Sequence, residues 1–301
     1  MSEITLIDVG ARGDLVEPWK SASPPVHVIG FEADPVEHDR LSREYPSRTY
    51  HPFGLGNPAQ QGQQAELHLT LERARSSLYP PSETNVAFEP EHWSTRRVEA
   101  VAQIPISRLD DCLGDVWIDA IKIDTQGSEM AILEGAQVTL KRTLPFLFLE
   151  TWVHEVYKGA PLMHEIVGLC HDLGYEVLAA APAAAWRLDV GDISPVDLSH
   201  GRQRLIGLNL LMSPSVDAIA VVCSEEQLRP RVAIMEMFGF DDIALRLARL
   251  TNDERFLHGV VARVESRSRS RLQVMFRRIS KKALTRATTV FHRNPRHASI
   301  T

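Results

Sequence analysis

Ile4-Thr5-Leu6-Ile7-Asp8-Val9-Gly10-Ala11-Arg12-Gly13-Asp14 opens the chain with an apolar run that closes on an acid and then a glycine turn. Such a run, bounded by glycines, reads as a buried strand. Gly10 and Gly13 lack Cβ, so the backbone can turn sharply there and let a ligand come close. Leu15 to Lys20 is expected to begin a short helix, whose free N–H groups would attract an anion. Strand, glycine turn and helix form the opening of a nucleotide-type site in an open α/β sheet. The spacing is G-x-x-G and not the full dinucleotide G-x-G-x-x-G, so the turn needs a second feature beside it. His27-Val28-Ile29-Gly30-Phe31-Glu32-Ala33-Asp34-Pro35 supplies one. It is another apolar run ending in an acid, about 20 residues after the glycines, where an open sheet places the carboxylate that receives ribose hydroxyls. Glu32 is therefore the expected ribose ligand.

Asp34-Pro35 starts a helix over Val36 to Tyr45, with a capping acid followed by proline in the first turn. Arg48 to Phe53 is a third strand, closed by Gly54-Leu55-Gly56-Asn57-Pro58. Asn57 is either a base contact or a turn residue, since Asn-Pro is a turn former. Ala65 to Leu71 and Arg97 to Ile106 read as strands. Between them lies a long loop with Arg73-Ala74-Arg75-Ser76-Ser77-Leu78-Tyr79. Long loops in compact domains are often binding segments, and Ser76, Ser77 and Tyr79 are candidates to line a substrate cleft.

Ile118-Asp119-Ala120-Ile121-Lys122-Ile123-Asp124-Thr125-Gln126-Gly127-Ser128-Glu129-Met130-Ala131-Ile132-Leu133-Glu134-Gly135-Ala136 is the strongest single segment. Ile121 and Ile123 make a strand that ends in Asp124, Gly127 makes the turn, and Ser128 is expected to cap a helix that buries Ile132, Leu133 and Ala136. Asp124 thus lies at the carboxyl edge of the sheet, where open α/β folds bind ligands. A buried Lys122–Asp124 pair would be a structural alternative. Phe146 to Leu149 is the next strand and again ends in an acid, Glu150, with His154 shortly after. A helix over Pro161 to Leu173 and two strands, Tyr175 to Ala180 and Leu205 to Met212, complete the sheet. No convincing helix separates these last two strands, so they are expected to pair antiparallel. Strands alternating with helices make the whole a mostly parallel, doubly wound sheet.

These segments resemble the FkbM family of S-adenosylmethionine-dependent methyltransferases. The likeness rests on Asp8-Val9-Gly10-Ala11-Arg12-Gly13, Gly30-Phe31-Glu32-Ala33-Asp34-Pro35, Ser76-Ser77-Leu78, and above all Ile121 through Glu129 with Leu133-Glu134-Gly135-Ala136. It covers roughly residues 4 to 213. The resemblance implies a class I methyltransferase (Rossmann-like) fold of seven strands with the last antiparallel. It also implies S-adenosylmethionine as cofactor and O-methylation of a hydroxyl on a sugar, glycan or secondary metabolite. Under it, Gly10, Ala11 and Gly13 face the amino-acid part of the cofactor with Asp8 beneath, Glu32 holds the ribose, and Asn57 is a further cofactor contact. Asp124 is the first candidate base or substrate orienter, with Glu150 and His154 as alternatives; an ordinary histidine titrates near ~6.5. The chain departs from commoner members in starting directly at strand one, without the leading helix that often covers the cofactor. No committed metal site is read from the sequence.

The chain is expected to divide into a methyltransferase domain (1–214), a helical extension (215–262) and a basic amphipathic tail (263–301). The extension is expected to pack on the sheet or to form a dimer face, and the oligomeric state is left open. The whole chain of 301 residues carries a formal net charge of -6, but residues 263–301 carry +10 and the rest -16. A basic amphipathic tail suits an anionic membrane surface, with docking on the acidic body as the competing reading. Nucleic acid is not expected, because few aromatics are interleaved for base stacking. Three scattered cysteines exclude a disulfide framework and suit a reducing, cytoplasmic compartment. No signal peptide or membrane-spanning run is read. Two rival functions remain: a nicotinamide-dependent oxidoreductase and a non-catalytic binding protein of the same fold.

Overall fold

A computed structural model describes residues 3–191 and 200–269. The elements run β1 (Ile4–Val9), β2 (Val26–Phe31), α1 (Pro35–Glu44), β3 (Thr49–His51), β4 (Gly54–Leu55), β5 (Gln64–Thr70), α2 (Pro90–Trp93), β6 (Val98–Ser107), α3 (Leu109–Cys112) and β7 (Ala120–Ile123). They continue as α4 (Glu129–Glu134), α5 (Gln137–Thr143), β8 (Phe146–Trp152), α6 (Met163–Asp172), β9 (Tyr175–Trp186), β10 (Arg204–Pro214), α7 (Val216–Val222), α8 (Glu225–Phe238) and α9 (Asp241–Arg249). A last helical stretch covers 254–269.

Seven strands form the main sheet in the order β3-β2-β1-β7-β8-β10-β9. All pairings are parallel except those of β10, which runs antiparallel to both β8 and β9. This is the class I methyltransferase arrangement. The period-two alternation of the strands explains its two cores. Odd positions (Ile7, Val9, Ile121, Ile123, Leu147, Leu149) pack against Ile132, Leu133 and Ile166 of α4 and α6 on one face. Even positions (Ile4, Leu6, Ala120, Phe146) pack against Leu228, Val232 and Leu247 of α8 and α9 on the other. The C-terminal helices therefore cover a sheet face, and the helical stretch continues across residues 262 and 263 without a break.

Several expectations are corrected. Leu15 to Lys20 forms no helix. Its turn is tied down by Trp19, which enters the second core, and by Asp14, which pairs with Lys20 at 2.9 Å and Arg48 at 2.7 Å. The two strands of the long-loop region do not join the main sheet. They pair with each other, and with β4 they make a separate three-stranded sheet. Strand β9 extends to Trp186, six residues beyond the expected end. Among the described residues no helix is long and apolar enough to cross a membrane. The expected tail begins on the body: Arg263 pairs with Glu236 at 2.8 Å, and Arg267 with Glu236 at 3.0 Å and Asp241 at 2.7 Å. The expected amphipathic pattern past Ser270 lies outside the described residues.

The C-terminal helices are fastened to the sheet by one guanidinium. Arg231 of α8 is fully buried and donates to the carbonyls of Ile118, Thr143 and Leu144 at the entries to β7 and β8. Replacing it with methionine leaves those carbonyls without donors, each costing on the order of 1–3 kcal/mol. Arg231→Met should lower the unfolding free energy by about 3 kcal/mol in urea; a loss under about 0.5 kcal/mol would show that the clamp contributes nothing.

Candidate active site

The glycine turn and the second-half motif meet at the carboxyl edge of β1 and β7. Gly10 adopts φ +76°, and a Cβ built on it would lie 2.1 Å from the Asp124 carbonyl oxygen. Neither conformation nor space admits a side chain there. The Asp124 amide donates to the Val9 carbonyl at 3.1 Å, while the Gly10 and Ala11 amides donate to the Phe31 carbonyl at 3.0 and 3.2 Å. Three strand tips are thereby stitched together. Below them, Asp8 and Lys122 are register partners on β1 and β7, joined at 2.9 Å. The structural lysine pair therefore goes to Asp8 and not to Asp124. Burial alone would lower the lysine's pKa; the charges of Asp8, Asp124 and Glu150 outweigh it and hold the ammonium above its ordinary range.

A cleft of about 790 Å³, counted out to its open mouth, lies over these tips. Gly10, Glu32 and Asp124 all line it. Phe53, Leu55, Leu67 and Ile104 form an apolar wall, the last three contributed by the separate three-stranded sheet, which roofs the cleft. Glu32 is 7% exposed, and one of its oxygens accepts from the Asp34 amide at 2.8 Å. Burial pushes its pKa up to about 7, against the pull of that amide and of the Arg12 charge. In water a carboxylate would not wait in such a place; a ligand that donates hydroxyls to it relieves the cost.

The loop after β7 is held by its own side chains. Glu129 is fully buried and accepts from the Thr125 amide (3.0 Å), the Thr125 hydroxyl (3.0 Å) and the Gly127 amide (3.2 Å). These bonds brace the loop, while Ser128, expected to cap α4, makes no cap bond. Gln126 sits at φ +60° and is 6% exposed. Its amide nitrogen donates to Asp124 at 2.9 Å and to Glu150, and its amide oxygen faces the Tyr157 hydroxyl at 2.8 Å. Ser77 locks the same residue from above by donating to its backbone carbonyl at 2.8 Å. Desolvation, then the charge and hydrogen bond of Asp124, raise Glu150 to about 8. Asp124 and Glu150 are thus a half-buried acid pair bridged by one amide.

Other expected site residues lie elsewhere. Asn57 does not line the cleft: it caps the turn Pro58–Gln60 and donates to Glu134 at 3.2 Å. His154 turns away toward Phe88 (5.1 Å between rings) and Thr84, and burial lowers its pKa, so it is no base for this cleft. Ser76 lines the cleft, whereas Ser77 and Tyr79 support the loop from behind. Ala11 is buried under the turn, and the Gly13 amide approaches Glu37 at 3.4 Å. Arg12, Arg73 and Tyr157 were not among the expected residues. The first two line the cleft, yet a lone arginine in a polar loop carries no sequence signal. Among the described residues, Glu89, Glu91 and His92 form a group able to hold a metal ion; none of them lines the cleft.

Gly10→Ala forces a methyl group against a backbone carbonyl in left-handed backbone. It should cost at least ~2 kcal/mol in urea unfolding and abolish calorimetric binding of S-adenosylhomocysteine; unchanged binding would remove the turn from the site.

A family model described as the methyltransferase FkbM domain matches residues 10–177. Similar solved structures include an FkbM methyltransferase from Methylobacillus flagellatus (15% identity, TM-score 0.35, covering 69% of this chain and 43% of that one). A TehB-like SAM-dependent methyltransferase from Corynebacterium glutamicum is similar at 11% identity and TM-score 0.35, over 71% of this chain and 83% of that one. A magnesium protoporphyrin IX methyltransferase from Synechocystis with bound SAM is similar at 12% identity and TM-score 0.35, over 71% of each chain. The chain spans less than half the length of the Methylobacillus protein. No curated protein matches it. The family match covers more than half of the chain and sets the oxidoreductase alternative aside. This chain belongs to the FkbM methyltransferase domain family.

Proposed function

We propose that the protein is an O-methyltransferase acting on a hydroxyl of a sugar, glycan or related small metabolite. The observation that carries this reading is the acid pair Asp124–Glu150, with Asp124 in the wall of the cofactor cleft. The cleft fits the cofactor: a turn without a Cβ at Gly10, a buried carboxylate at Glu32 facing the space, and an apolar wall for a purine. When bound, S-adenosylmethionine supplies an already activated methyl group. The protein's own task is to hold the acceptor oxygen in line and to exclude water. Glu32 is suited to receive ribose hydroxyls, and the Gly10 turn lets the backbone approach the amino-acid end.

A neutral hydroxyl becomes a good nucleophile only as it loses its proton, so a carboxylate beside it helps. Asp124 fills that role. Asp124 would take up the hydroxyl proton as the acceptor oxygen is methylated. Ser76 and Arg73, both in the cleft wall on the roofing insert, offer donors suited to a hydroxyl-rich acceptor.

The test is a panel of hydroxylated, amine and carboxylate acceptors incubated with methyl-labelled cofactor. Label should enter an alkali-stable ether, and Asp124→Asn should lower the rate about 10²–10⁴-fold while cofactor affinity stays within about threefold. Label found only in amines or alkali-labile esters would sink the O-methyl reading.

We also propose a peripheral contact with anionic lipid through the cationic residues past 269, in a cytoplasmic setting. Arg263 and Arg267 are already paired to the body, so Arg271, Arg277, Arg278, Lys281 and Lys282 would carry the attraction. Near a membrane surface each contributes about 1 kcal/mol, screened by salt. The full chain should sediment with phosphatidylserine vesicles at low salt, and a chain ending at residue 269 should not; equal sedimentation of the two ends the membrane idea.

A further inference from the structure

Tyr157 lies outside every motif that marks this family in the sequence, yet it touches the acid pair through one atom. Its hydroxyl is buried and lies 2.8 Å from the Gln126 amide oxygen and 2.8 Å from the Arg75 carbonyl. It has one hydrogen for two acceptors. Behind it, Arg96 is 2% exposed, 5.9 Å from the Tyr157 ring and 4.8 Å from that of Trp186, and it donates to the His92 carbonyl at 2.6 Å. Desolvation pushes the tyrosine up to about 12, the Arg96 charge opposing it, so the phenol remains a donor at any pH the folded protein meets.

The amide of a glutamine has two ends of opposite character. Gln126 presents its NH2 to Asp124 and Glu150, and its oxygen shares the Tyr157 hydrogen with the Arg75 carbonyl. Turned the other way, the amide oxygen would meet two acids and favour keeping protons on both. The orientation of one side chain thus decides how the pair shares its proton.

We propose that Tyr157 is a positioning residue: through Gln126 it holds Asp124 and Glu150 with a single proton between them, and the positive sulfonium of the cofactor expels that proton, leaving Asp124 free to act as base. This rests on the methyl-transfer reading above. In the expulsion step the Glu150 O–H bond breaks, both electrons stay on the carboxylate, and the proton leaves for the buffer. The charged and titratable groups facing Glu150 are Lys122 from β7, Asp124 just past its end, Glu129 from α4, and Tyr157 with Arg96 behind it. Lys122 is already committed to Asp8. Among these, the acids disfavour a second negative charge, and an added cation at the cleft wall reverses that balance.

Titration calorimetry of the full chain at pH 7, in phosphate and in Tris, counts protons released on binding. S-adenosylmethionine and S-adenosylhomocysteine share every group except the sulfonium, so any proton exchanged at Glu32 cancels in their difference. Glu150, pushed up to about 8, is mostly protonated at pH 7. A neighbouring cation lowers such a value by about 1–3 units, so the difference should be about 0.4–0.9 proton. Glu150→Gln should abolish it. Tyr157→Phe should cut it by at least half while retaining S-adenosylhomocysteine binding, and Gln126→Leu should do the same. A difference unchanged in Tyr157→Phe overturns the positioning role; one unchanged in Glu150→Gln overturns the shared proton. If Tyr157→Phe fails to bind S-adenosylhomocysteine, the infrared band of a protonated carboxyl in the free wild-type protein decides. Its presence at pH 7 and loss in Glu150→Gln support the pair, and its absence from wild type rejects it. A wild type that binds neither nucleotide refutes the methyl-transfer reading itself, a separate outcome from binding with no proton difference.

Discussion

Gly10 pressed against the carbonyl of Asp124 is the constraint on which the site depends. The two residues end adjacent parallel strands in register, and the space between their backbones has no room for a Cβ. Because the turn can come that close, the amides of Gly10 and Ala11 also reach the Phe31 carbonyl at the tip of the next strand. One missing methyl group therefore sets the spacing between the turn, the Glu32 carboxylate and the Asp124 carboxylate. A cleft open to solvent can form above them while both sheet faces below stay packed.

The strand tips were legible because their physics is local. Apolar runs of a few residues that stop at an acid or a glycine describe β1, β2, β7 and β8, and Asp34-Pro35 marks the start of α1, where Asp34 caps the Val36 amide. Glu32 and Asp124 follow from that pattern, and both line the cleft. What failed was whatever depended on distant partners. Asn57 and His154 have the right chemistry for a site, but Glu134 and Phe88 claim them. Leu15 to Lys20 has helical character, yet Trp19 is drawn into the second core and Asp14 is held by Arg48. Strands β5 and β6 were correctly placed along the chain, but nothing local says that they leave the main sheet to roof the cleft. Tyr157 is invisible for the same reason: its role exists only because residues 75 and 126 meet at its hydroxyl.

The site holds its acids in an unfavourable state. Glu32 and Glu150 have folded-state values of about 7 and about 8, above the 4.5 of an unperturbed glutamate. Below 4.5 both are protonated in folded and unfolded chains alike. As pH rises through that value the unfolded chain ionises first, so it binds fewer protons and the free protein loses stability up to the folded values. Burial is the leading cause in both cases. A ligand that brings hydroxyl donors to Glu32 would relieve part of this cost.

The roof and the floor of the cleft are joined at a few atoms. Ser77 of the insert donates to the Gln126 carbonyl, and the Arg75 carbonyl shares the Tyr157 hydroxyl with the Gln126 side chain. The segment that carries Ser76 and Arg73 into the cleft is thus the one fastened to the loop that orients Asp124 and Glu150. Packing of this kind has discrete arrangements and does not deform smoothly. A change of acceptor-facing residues on the insert will be felt at the acid pair through Gln126, even where the new side chain never touches it. The cleft roof and the acid pair are therefore coupled through one short segment, whereas the C-terminal helices, clamped by Arg231 on the sheet face away from α4 and α6, stabilise the scaffold without entering the cleft.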